Sequence, residues 1–125
     1  MGNEVKSHED LRIWQGARTL VLEIYKLTSE FPKHEIYGLI SQMRRASVSV
    51  PSNIAEGAGR RSPGDFCRFL YYASGSLTEL ETQLYLSGEL GYADKTLVYE
   101  KKKEIILLRK QIYATIRSLS KKTSL

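Results

Sequence analysis

The sequence predicts an all-α protein, an antiparallel up-and-down four-helix bundle. Three observations lead there. Apolar residues recur at three- and four-residue intervals through nearly the whole chain. The breaks between the periodic stretches are short and carry cap or proline signals. No stretch of useful length alternates with the two-residue period of a strand. With 125 residues there is room for one modest core and one domain, residues 1–125.

The first helix is expected from about 7 to 29. Ser7 and Asp10 suit a capping-box start, Trp14, Ala17, Val21, Ile24 and Phe31 carry the apolar period, and Pro32 stops the ladder. The second spans about 35–59, with Ile36, Ile40, Met43, Ser47, Val50 and Ile54 as its seam. Pro51 lies inside it. Because the seam keeps its phase on both sides, the segment reads as one bent helix, with a surface loop as the alternative.

The third helix is expected over 62–90: Ser62 as cap, Pro63 at the first position and Asp65 at the third. Phe66, Leu70, Ala73, Leu77, Leu80 and Leu84 form its seam, and Gly91 suits a left-handed cap. Asp94 opens the fourth, 94–119, with Val98, Ile105, Leu108, Ile112 and Leu119 inward.

Composition narrows the function. No apolar run approaches the roughly 20 residues of a membrane span. The opening MGNEVKSHEDLRIW has no charged segment leading into an apolar one, so no signal peptide is expected. One cysteine, Cys67, allows no intrachain disulfide, and His8 and His34 make no metal cluster. These features point to a reducing cytoplasm, no membrane, no metal and no cofactor. Glu56 and Glu79 are carboxylates with no sign of a raised pKa, and no nucleophile sits with a base, so no enzyme is expected. Cys67 reads as a small residue on a helix face. AGRRSPGD precedes a helix but lacks the spacing of a phosphate-binding loop.

The net charge of +5 is concentrated. From Lys95 onward there are nine Lys/Arg against two Glu, while the first 94 residues hold ten basic and twelve acidic side chains. On the fourth helix Lys95, Lys102 and Arg109 share one heptad position, and Lys103, Lys110 and Arg117 another. Tyr99, Ile106 and Tyr113 run between them. With Arg60 and Arg61, these cations are candidates for nucleic-acid binding.

Apolar surface left outside the seams is a candidate oligomer interface: Phe69, Tyr72, Leu86 and Leu90 on helix 3, with Tyr99, Ile106 and Tyr113 on helix 4. Three uses of it are open: side chains draped over the bundle edges, self-association, or contact with nucleic acid through stacked tyrosines.

The centre, QMRRASVSVPSNIAEGAGRR, is unusually polar. If helices 2 and 3 are antiparallel, Arg44 and Glu79 stand at one height. The expectation is an ion pair from Arg44 or Arg45 to Glu79, with Asn53, Glu56, Ser76 and Gln83 in one polar network that specifies register and partner.

DLRIWQGA, then FP, EIYGLISQMRRA, SVPSNIAEG and FLYYASGSLTEL together resemble the 23S ribosomal RNA intervening-sequence protein family, from about Asp10 to Leu119. Gln42, Arg44, Arg45, Asn53, Glu56, Gly57, Gly75, Ser76 and Glu79 match its motif. The resemblance implies a four-helix bundle, often encoded within an insertion in the large-subunit rRNA gene, and a homo-oligomer, a pentameric ring. Distantly similar bundles assist reverse transcriptases of diversity-generating retroelements, where nucleic-acid binding is part of the role. The family supplies no established activity. Two functions from different classes follow: a basic, homo-oligomeric RNA-binding accessory protein, or a structural oligomer and interaction scaffold that binds no nucleic acid.

Overall fold

The structure, a computed structural model, describes residues 7–123. Four long helices run up and down in sequence: α1 (Arg12–Thr28), α2 (Leu39–Ala58), α3 (Pro63–Glu89) and α4 (Lys95–Thr123). Two single 3-10 turns, His8–Asp10 and Lys33–Glu35, precede α1 and α2. Among the described residues no helix is long and apolar enough to cross a membrane.

The ends of the helices follow local chemistry. Ser62 Oγ accepts the Asp65 N–H at 3.1 Å, and Pro63 fills the first helical position. Gly91, at φ +77°, closes α3. Its N–H bonds to Gly88 O at 3.1 Å and that of Tyr92 to Ser87 O at 2.9 Å, the paired bonds of a Schellman cap. Asp94 Oδ1 accepts from Thr96 N–H at 3.0 Å and opens α4.

Two starts differ from expectation. Ser7 accepts from the Glu9 N–H and caps the 3-10 turn, not α1, which begins after the extended residue Leu11. α2 begins at Leu39 and not near Glu35, because Glu35 is itself the cap: its Oε1 accepts the Leu39 N–H at 3.0 Å. Gly38 makes room for this. A Cβ there would lie 2.5 Å from Glu35 Oε1.

The helix α2 passes through Pro51 without interruption, which excludes the loop alternative. The core consists of buried rows from all four helices, including Ile24, Met43, Ile54, Leu70, Leu77, Leu84, Ile105 and Ile112. On α1 the buried row is Ile13, Ala17, Leu20, Ile24 and Leu27; Trp14 and Val21 sit beside it, half-buried. Ile36, expected inward, is exposed because it lies in the turn before α2. At Gly57 α2 packs tightly against α3: a Cβ would meet Phe69 Cβ at 2.8 Å and Phe66 Cδ1 at 2.9 Å.

The loose edge is α1 against α4, where an open groove of about 460 Å³ separates the helices. Leu20 and Leu108 lie along it, with Glu23 and Glu104. Lys101 Nζ bridges the two carboxylates, 3.0 Å from Glu23 and 3.4 Å from Glu104. One ammonium does not offset two carboxylates. Partial burial, then the neighbouring Glu23, pushes the Glu104 carboxyl above its ordinary value.

Candidate functional site

The polar centre divides into separate contacts. Arg44 turns toward α1, where its Nε donates to Thr28 Oγ1 at 2.9 Å and its Nη2 to Tyr25 O at 3.3 Å. Its guanidinium lies 4.5 Å from the centroid of the Tyr25 ring. A cation at the last turn of α1 also meets the negative end of that helix. The expected ion pair to Glu79 is not formed: among the described residues no salt bridge joins Glu79 to Arg44 or Arg45. The heights are compatible, but Arg44 faces α1 while Glu79 is exposed on α3.

What remains of the network is small. Ser76 Oγ donates to Ser49 Oγ at 2.9 Å across α2 and α3, and Asn53 Nδ2 donates to the same Ser49 side chain at 2.9 Å. Glu56 pairs with Arg60 along the surface at 2.8 Å. Gln83 lies apart from these, its buried Oε1 accepting no bond among the described residues. Arg45 is exposed.

The basic columns of α4 separate more sharply. Arg109 Nη1 lies 2.9 Å from Glu81 Oε1 and 3.4 Å from Thr78 Oγ1. Lys102 Nζ is 3.9 Å from the other oxygen of Glu81, and Lys95 is 3.6 Å from Glu89. This column faces α3, whose Glu81 and Glu89 offset two of its three positive charges. Tyr113 belongs to the same seam, with its hydroxyl 3.0 Å from Ser74 Oγ and its ring edge-on to Tyr71. Ile106 is half-buried there.

Lys103, Lys110 and Arg117 are exposed, and no carboxylate pairs with any of them among the described residues. Lys103 Nζ rests over the Tyr99 ring, 4.7 Å from its centroid. For Lys110 and Arg117 the helix itself offers no acid toward its C-terminus, since after Glu104 the chain contains no Asp or Glu. The same outward row also holds Leu107, 58% exposed, and Lys121, neither singled out from sequence. Glu81 was missed as well. Its signal is its register, since Ser74 with Tyr113 and Thr78 with Arg109 pair in mirror order about the 90–94 turn.

At the opposite end of α3, Arg60 and Arg68 both lie over Phe69, at 4.8 and 4.7 Å. Tyr72 stands edge-on to Phe69, and Arg68 donates to its hydroxyl. Arg61 is exposed nearby in the turn. Leu86 on α3 and Leu90 just past its end are exposed. Large exposed side chains that the sequence did not mark include Leu22, Tyr37, Tyr71 and Tyr85.

The sequence profile of the 23S rRNA-intervening sequence protein family matches residues 9–114. The chain belongs to that family. Among solved structures, this intervening-sequence protein is similar to a protein of unknown function from the S23 ribosomal protein family of Bacteroides thetaiotaomicron. The two are 20% identical with a TM-score of 0.74, over 83% of this chain and 97% of the other. At that identity the likeness concerns the bundle alone. No curated protein matches the intervening-sequence protein.

Proposed function

We propose that this member of the intervening-sequence family is a non-enzymatic, homo-oligomeric accessory protein of the cytoplasm. It binds nucleic acid, RNA in the first place, through the outer face of α4. One observation carries the reading: the two basic columns of α4 are not equivalent. Lys102 and Arg109 are held by Glu81, whereas Lys103, Lys110 and Arg117 project outward and form no carboxylate ion pair among the described residues. Unpaired cations in a row raise the local potential and attract a polyanion, and each phosphate they neutralise releases a counterion. The test is RNA retention by the native chain near 50 mM salt. Binding should weaken about tenfold or more between roughly 50 and 200 mM salt, and Lys103→Gln/Lys110→Gln/Arg117→Gln should abolish it. No retention at low salt would end the proposal.

A second reading, an oligomeric scaffold without nucleic acid, rests on the exposed apolar side chains. Tyr37 is 93% exposed, and Leu22, Leu86, Leu90 and Leu107 stand well out of the bundle. Assembly belongs to both readings, with a pentameric ring as the expected form. Light scattering should give a mass several times the 14.3 kDa of one chain; a monomer at micromolar concentration would remove assembly from either reading.

A further inference from the structure

The outward row on α4 has a defined length and chemistry. Lys103, Leu107, Lys110, Ala114, Arg117 and Lys121 follow at alternating four- and three-residue steps, so they share one face of the helix. At a rise of 1.5 Å per residue the cations stand roughly 10.5, 10.5 and 6 Å apart, over about 27 Å in all. All four are exposed and without a carboxylate partner among the described residues. Between them the row holds only Leu107 and Ala114, neither of which stacks on a base.

The aromatic residues near the row are already engaged. Tyr99 carries the Lys103 ammonium on its ring. Tyr113 is tied to Ser74 and Tyr71, and Phe69 and Tyr72 are tied to Arg60 and Arg68 at the other side of α3. Proteins that hold single strands combine charge with free aromatic platforms. Along this row the charge is present, while the residues between the cations, Leu107 and Ala114, offer no aromatic platform.

We infer that the α4 row grips a nucleic-acid double helix by its phosphates, without contact to bases. This rests on the nucleic-acid reading above and specifies its substrate. A rigid line of cations about 27 Å long suits a stiff, dense phosphate array. A duplex presents one charge per roughly 1.7 Å of axis, and a flexible single strand would have to be straightened without stacking to hold it. A-form RNA fits this mode, because its sequence lies in a deep groove and proteins contact its backbone. Nothing on the row reads a 2′-hydroxyl, so duplex RNA and duplex DNA share the required chemistry.

The test measures binding of the full-length chain to a 20-bp RNA duplex, a DNA duplex of the same length and one of the separated RNA strands, all between about 50 and 200 mM salt. Both duplexes should bind at least fivefold more tightly than the single strand, with no dependence on sequence. Lys110→Gln should reduce the duplex salt slope by about 0.9. Tyr99→Ala should change affinity less than twofold. Equal or tighter binding of the single strand, or a loss of tenfold or more in Tyr99→Ala, would overturn the inference while leaving the nucleic-acid reading in place. Preference for RNA over DNA duplex would support it and assign the source. Absence of binding to every probe would overturn both.

Discussion

Arg44 takes its hydrogen-bond partners from the last turn of α1. Its place mid-helix beside Arg45 marks it as unusual, and the antiparallel order of α2 and α3 gives its height. The azimuth decides its partner, and that depends on how α2 is rolled in the bundle. Two hydrogen-bond acceptors on α1, the buried Thr28 hydroxyl and the exposed Tyr25 carbonyl, receive it instead of a carboxylate on α3. Arg44→Ala should therefore cost about 1.5–3 kcal/mol, the usual loss for charged hydrogen bonds, measured by urea denaturation. Glu79→Ala should leave stability nearly unchanged.

Glu35 is a second residue whose role emerges only in three dimensions. It caps α2 through Leu39 and accepts from the Tyr92 hydroxyl at 2.8 Å, joining the turn before α2 to the turn before α4. The Leu39 N–H, then Tyr92, holds its carboxyl below the ordinary value of 4.5. A carboxyl lowered on folding stabilises the protein above its unfolded pKa, and the contribution fades as pH falls through the folded value. Glu35→Gln should lower the melting temperature at pH 7, and the gap to the parent should close as pH drops below about 4. A gap unchanged with pH would show that the charge contributes nothing. Glu104 has the opposite sign: its carboxyl is raised, by burial first and then by Glu23. Glu104→Gln should add about 0.3 kcal/mol at pH 7, in keeping with its exposure to solvent.

Among the elements, the helices were legible because three kinds of signal agree: period, cap and length. The α3 start at Ser62-Pro63 and its end at Gly91 were readable residue by residue. The start of α2 was not, since its cap is a side chain three residues upstream of Gly38, outside the usual cap position. The row expected for the first helix holds at Ala17, Ile24 and Phe31, but Ile13 and Leu20 are buried in place of Trp14 and Val21, which are apolar yet lie at the edge of the core. Two glycines of the motif behave oppositely. Gly57→Ala should cost about 1–3 kcal/mol through overpacking against Phe66 and Phe69, while Gly75→Ala, with open space around it, should gain about 0.5–1 kcal/mol from helix propensity. Thermal unfolding of the two variants should move in opposite directions by several degrees.

For the whole molecule, charge is sorted between holding the bundle together and facing outward. The sequence shows that the C-terminal quarter is basic and that α4 carries two cation columns. It does not show which column α3 neutralises, because that depends on the roll of α4 as it packs. Glu81 settles the matter by taking both Lys102 and Arg109. The outer row keeps its charge, with no carboxylate pair among the described residues. The most direct measurement compares RNA affinity and melting temperature in two variants, Lys103→Gln/Lys110→Gln/Arg117→Gln and Lys102→Gln/Arg109→Gln. The first should lose RNA binding and keep its melting temperature; the second should keep RNA binding and melt earlier. RNA affinity that survives removal of the outer row would contradict the account.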